Sequence, residues 1–138
     1  MDLNEIPEID SSLERPGVME KMDLICNVYD GSDPASFKFL LGLRKKYSIL
    51  STLPNVFIDT QMTLDDRMKE PMDLCRRLGI PPPVSAIEIG AALAVVVDAL
   101  LQPSSAIPGY KDMLKKRSRW FHVATLLGLT LGMAATAL

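Results

Sequence analysis

The 138 residues hold one histidine, one tryptophan and two cysteines, and each scarcity removes a class of chemistry. Cys26 and Cys75 lie far apart, form no C-x-x-C pair and have only His122 to join them, so no zinc site is expected. Sparse cysteine fits a reducing compartment. With a single imidazole, Ser/His/Asp or Cys/His catalysis would have to run through His122, which sits in an apolar run two residues after Trp120 and makes a poor base there. The sequence has no G-x-x-x-x-G-K-[S/T] phosphate loop and no nucleophile elbow. Asp65 and Asp66 lack a third carboxylate at EF-hand spacing and read as first-turn helix charges. These gaps predict a protein that is not an enzyme and has no cofactor or metal. The one exception weighed is axial ligation of a haem or chlorophyll by His122. The acidic opening MDLNEIPEID has neither the basic and apolar regions of a secretory signal nor an Arg-rich transit pattern.

Charge is unevenly distributed. Residues 1–35 carry nine acidic side chains against Arg15 and Lys21, whereas residues 36–138 carry thirteen basic against eight acidic. Such a dipolar chain can steer a partner or fold its acidic arm onto the basic body. The basic groups Arg44-Lys45-Lys46, Arg76-Arg77 and Lys115-Lys116-Arg117 lack interleaved aromatics, and the isoelectric point of about 5.3 opposes general nucleic-acid affinity.

The chain is one domain's length, and its periodicity predicts helices throughout. Residues 1–16, with Pro7 and Pro16 and no periodic apolar face, read as an extended acidic arm. Val18, Met22, Ile25 and Tyr29 form a stripe at helical spacing, closed by Gly31. Ser32 or Asp33 caps a second helix, Pro34 suits its first turn, and Phe37, Leu40, Leu41 and Leu43 make its apolar side. The stretch Asn55-Val-Phe-Ile-Asp59 is extended but too short to found a sheet. A third helix opens at Thr63, is kinked or broken by Pro71 near Glu70, and ends at Gly79. Pro81-Pro82-Pro83 is a stiff spacer before an apolar helix over residues 84–101.

Residues 119–138 contain no charged side chain after Arg119, reach about the twenty residues a membrane span needs, and follow Lys115, Lys116, Arg117 and Arg119 with Trp120 at the interface position. They read as a C-terminal membrane-type helix. The 84–101 helix contains Glu88 and Asp98, each costing roughly 2.5–3.5 kcal/mol at a bilayer centre, so it is assigned to the domain interior with Asp98 as a buried, ion-paired charge. Small residues recur every fourth position, at Gly90 and Ala94 and again at Ala124, Gly128 and Gly132, as helix-packing faces.

The expectation is therefore an all-α protein: an acidic arm (1–16), a small helical domain with a central apolar helix (17–118) and a C-terminal apolar or transmembrane helix (119–138). Its function reads as a non-enzymatic, membrane-anchored adaptor or accessory subunit. The bulk lies on the cytoplasmic face and binds protein partners through the N-terminal helical face and the arm, as an oligomer or part of a larger complex. Two alternatives stay open. One is a soluble all-helical structural protein, such as a viral or scaffold component, whose last helix is buried in an oligomer; the other is a small cofactor-bearing subunit of an energy-transducing membrane complex.

Overall fold

The computed structural model describes residues 15–61 and 67–119. They form a parallel three-stranded sheet with helices, so the all-α expectation is wrong. In chain order the elements are β1 (Ile25–Tyr29), α1 (Pro34–Lys46), β2 (Asn55–Asp59), α2 (Glu70–Leu78), β3 (Val84–Ser85) and α3 (Ile89–Leu101), with 3-10 turns at Met19–Lys21, Ser48–Ser51 and Pro103–Ser105. The strands lie in the order β1-β2-β3, with Ile25 opposite Asn55, Tyr29 opposite Asp59, and Asp59 opposite Ser85. Residues through 108 form one compact unit, and the helical stretch 110–119 belongs to a second.

The stripe at Val18, Met22, Ile25 and Tyr29 misled because the same segment also satisfies a period of two. Asn27 and Tyr29 are buried while Cys26 and Val28 are exposed, the alternation of an edge strand. β2 is short but central. Its odd positions face one layer and its even positions the other, so nearly every side chain is buried and both faces need apolar residues. On the first face Phe57 packs with Tyr29, Phe37 of α1, Cys75 of α2 and Ile80, and the three rings meet at centroid separations of 5.5–6.5 Å. On the other, Val56 packs with Ala99 of α3 and Ala106, joined by Leu24, Ile58, Val95 and Val96. Two successive β-α-β crossovers in one winding direction put α1 and α2 on the same face, leaving the opposite one to α3.

Local chemistry sets the boundaries. Asp33 caps α1 by accepting the Ala35 N–H at 3.0 Å, with Pro34 at the first position. α2 starts at Glu70, where Pro71 falls in the first turn and its missing N–H costs nothing; the expected opening at Thr63 lies outside the described residues. Gly79 closes α2 at φ 66°, the left-handed conformation glycine adopts freely. The 84–101 segment is divided between the short β3 and α3, which is 13 residues long.

At the end of the sheet where the strands begin, Asn55 is fully buried and fully employed. It donates to the Leu50 and Leu53 carbonyls at 2.8 and 2.7 Å and accepts from Asn27 at 3.0 Å and from Arg44 at 2.6 Å. Arg44 also lies over the Phe57 ring at 5.9 Å, and burial lowers the pKa of its guanidinium.

No described helix is long and apolar enough to cross a membrane. The expected membrane-type helix itself, with Trp120, His122, Ala124, Gly128 and Gly132, lies outside the described residues, as does most of the acidic arm.

Candidate functional site

The carboxyl ends of β1 and β2 open onto a cleft of about 470 Å³ lined by Tyr29, Asp59, Arg67, Met68, Met72 and Arg76, with Pro83, just before β3, at its edge. In parallel α/β sheets this end is where ligands bind, because the loops there follow the strands and are held by the rigid layer beneath.

Asp59 builds the floor. The last residue of β2, it is only 4% exposed, and its Oδ1 accepts the Gly31 N–H at 2.9 Å and the Gln61 N–H at 2.8 Å. Its Oδ2 lies 3.7 Å from Arg67 Nε, an ion pair beyond hydrogen-bond length. Its backbone carbonyl accepts the Ala86 N–H at 2.8 Å, while the Gly31 carbonyl accepts the Met68 N–H at 3.3 Å. One residue thus ties together the loops that follow all three strands. Gly31 is required for a steric reason: a Cβ there would run into Asp59 Oδ2 and come within 2.8 Å of its Cγ. The loop after β1 is braced further by Asp30, which accepts from the Ser32 N–H and hydroxyl; these bonds hold its carboxyl below the usual range.

The walls are mixed. Tyr29, Met68, Met72 and Pro83 supply apolar surface, and Arg67, Lys69 and Arg76 supply cations. Arg67 is drawn toward Asp59, and Arg76 pairs with the exposed Asp73 at 3.2 Å. Burial, then the Asp59 charge, raises the Tyr29 phenol well above its usual pKa, so it stays protonated. Apolar walls beside cations suit a partly apolar ligand that carries an anionic group.

Of the expected site residues that the structure describes, Gly90, Ala94, Asp98, Lys115, Lys116, Arg117 and Arg119, none lines this cleft, whereas Arg76, noted only as part of a basic pair, does. Asp98, expected to be buried, is exposed on α3, as are Gly90 and Ala94, and a Cβ added at Gly90 would meet nothing within 4 Å. Lys115, Lys116, Arg117 and Arg119 are exposed on the helical stretch 110–119. Asp59, Gly31 and Arg67 were missed. A signal existed, since an acidic residue ends the apolar run Val56-Phe57-Ile58 and a glycine follows the earlier run by two residues. Among the described residues no group of three His, Cys, Asp or Glu side chains is placed to hold a metal ion.

Comparison with known proteins decides the class of likeness. The relatives are mitochondrial Rho GTPases. The chain is 32% identical to Mitochondrial Rho GTPase 1 of Candida albicans over 118 residues, covering 78% of the chain and 16% of that protein. It is 28% identical to that of Saccharomyces cerevisiae over 89% of the chain and 20% of the relative, and 26% identical to that of Emericella nidulans over 98% and 23%. The chain therefore spans between 16% and 23% of the length of these relatives. No family model matches it, and no solved structure matches it. The likeness to GTPases overturns the reading as a membrane-anchored adaptor, with both of its alternatives, and runs against the expectation of no enzymatic activity.

Proposed function

We propose that this chain is a segment of a GTP-binding, GTP-hydrolysing α/β protein, and that the cleft at the carboxyl ends of its strands receives the nucleotide. The observation that carries this reading is the cleft itself. It lies where parallel sheets take their ligands, it has a volume within the range of small-molecule sites, and it belongs to a chain similar to proteins named GTPases. Tyr29, Met68, Met72 and Pro83 offer walls to a base, and Lys69 and Arg76 offer positive charge to the anionic part. Asp59 does not reach the ligand in this proposal; its role is to hold the three loops in register.

The sequence contains no G-x-x-x-x-G-K-[S/T] loop, so the phosphate cradle on which phosphoryl transfer depends has to be supplied by another part of such a protein. Recognition of the nucleoside side is the share assigned to this chain, and hydrolysis is assigned to the longer assembly. The relatives' name also supports a mitochondrial location.

The test is a titration of the purified chain with a fluorescent GDP analogue and, separately, the matching ADP analogue. The expected result is saturable binding of the guanine analogue, reversed by GDP and weakened about tenfold or more in Arg76→Glu. Failure of both analogues to bind up to millimolar concentration, or equal binding of the two, overturns the proposal.

A further inference from the structure

Three cations line the cleft, and two of them are ordinary surface groups. Lys69 and Arg76 are exposed, and Arg76 already donates to Asp73 at 3.2 Å. Arg67 differs. Its side chain is only 30% exposed, its Nε is enclosed, and among the described residues that Nε meets no hydrogen-bond acceptor. The nearest charge is Asp59 Oδ2 at 3.7 Å, close enough to hold the guanidinium by Coulomb attraction but too far for a hydrogen bond. The Asp59 carboxylate is itself pinned, because its Oδ1 accepts the Gly31 and Gln61 N–H groups at 2.9 and 2.8 Å. The guanidinium is thus drawn to the floor of the cleft with a donor uncommitted. An enclosed donor without an acceptor is costly, so the group that completes it is to be sought in what fills the cleft.

The charge of the pair selects the kind of acceptor. A phosphate on Arg67 would also lie close to the Asp59 carboxylate, whose repulsion offsets the attraction, whereas the pair is neutral as a whole and suits a neutral acceptor. Two adjacent acceptors serve better than one, because a guanidinium presents Nε–H and a neighbouring Nη–H as parallel donors along one edge. Of the two purines, guanine offers such a pair, the carbonyl oxygen at ring position 6 beside the bare nitrogen at position 7, while adenine sets an amino donor at position 6. We propose that Arg67 reads the base in the cleft by donating to these two acceptors of guanine. Met68 and Tyr29 line the same cleft and give the base an apolar face, and Lys69 and Arg76 are left to the anionic part. Asp59 acts through Arg67, as a positioning residue. This assignment rests on the nucleotide reading above and adds to it the residue that tells guanine from adenine.

The test is displacement of a fluorescent GDP analogue from the full chain by four unlabelled nucleotides: GDP, inosine diphosphate, 7-deazaguanosine diphosphate and ADP. Inosine keeps both acceptors and lacks only the 2-amino group, and the deaza compound lacks only the nitrogen at position 7. GDP and inosine diphosphate should bind within about twofold of each other, the deaza compound at least about fivefold more weakly and ADP at least about tenfold more weakly, as expected for loss of a paired contact. In Arg67→Met the four should bind within about threefold of one another, at an unchanged circular dichroism spectrum. Should that variant lose its fold, Arg67→Lys, which keeps a charge beside Asp59 but has no two-donor edge, should cut the selection at least about threefold. Selection that survives in both variants overturns the assignment and leaves the nucleotide reading standing. Inosine diphosphate binding about tenfold more weakly than GDP does the same, by placing recognition on the 2-amino edge. A chain that binds none of the four, or GDP and ADP equally, overturns both.

Discussion

Gly31 and Asp59 are expected to behave as one energetic unit. In Asp59→Ala the Gly31 and Gln61 N–H groups lose their shared acceptor, and each unsatisfied buried donor costs about 1–3 kcal/mol, so the change should destabilise the fold by roughly 3 kcal/mol. Gly31→Ala does similar damage by another route: the new methyl group occupies the position of Asp59 Oδ2, the carboxylate is displaced, and the same two bonds are lost. Either single change should lower Tm by about 10 °C, at roughly 4 °C per kcal/mol for a chain of this size. In the double variant the obstacle and its victim are both gone, so the loss should stay near 3 kcal/mol and not approach 6. The assay is urea unfolding followed by far-ultraviolet circular dichroism on all four proteins. A Gly31→Ala cost below about 0.5 kcal/mol, or additive losses in the double variant, would refute the steric argument.

Other expectations concern the interior. Asn55→Leu strands the Leu50 and Leu53 carbonyls and removes the acceptor of Arg44, and should cost at least about 3 kcal/mol in the same unfolding assay. Phe57→Ala, which empties the centre of the aromatic cluster, should cost about 3–5 kcal/mol. Burial raises the Cys75 thiol from 9.0 to about 11 in the folded chain, so the unfolded chain loses this proton first. The resulting stability is fully present below about pH 9 and is lost as pH rises through about 11. The urea midpoint should therefore fall across that window, and fall less in Cys75→Ala. Tyr29, raised in the same direction, accounts for part of the slope that remains.

The helices after Asp33 and before Gly79 were legible because caps and breakers act locally: a carboxylate accepting an N–H two residues on, or a glycine at positive φ, needs nothing distant. The sheet was not. Ile25–Tyr29 fits a helical stripe and a strand alternation equally well, and the decision is made by β2, thirty residues away. Asn55–Asp59 was recognised as extended and then dismissed for its length, although a central parallel strand needs only a few residues when helices cover both faces. The two extended runs some thirty residues apart, with a capped helix between them, were the overlooked sign of a β-α-β unit. Asp98 was misjudged for a related reason: a helix apolar nearly all round was taken as buried all round, whereas α3 buries one side only. The cleft was invisible because its floor is assembled from loops that meet only once the strands are in register.

The division of the sheet's two faces among the helices has a consequence for synthesis. The layer holding Phe37, Phe57, Cys75 and Ile80 is complete once Ile80, just past α2, has left the ribosome, but the opposite face waits for Ala99 and Ala106. Between the emergence of Asp59 and that of Ala99 lie roughly forty residues, or about 2–8 s at ~5–20 residues per second. During that interval Val56 and Ile58 have no cover, beside a β1 strand whose stretch from Leu24 to Tyr29 carries no charge. A nascent chain in this state is a ready template for stray strand pairing. The rate at which α3 is delivered, more than the final packing energy, then sets how much of the protein reaches its fold.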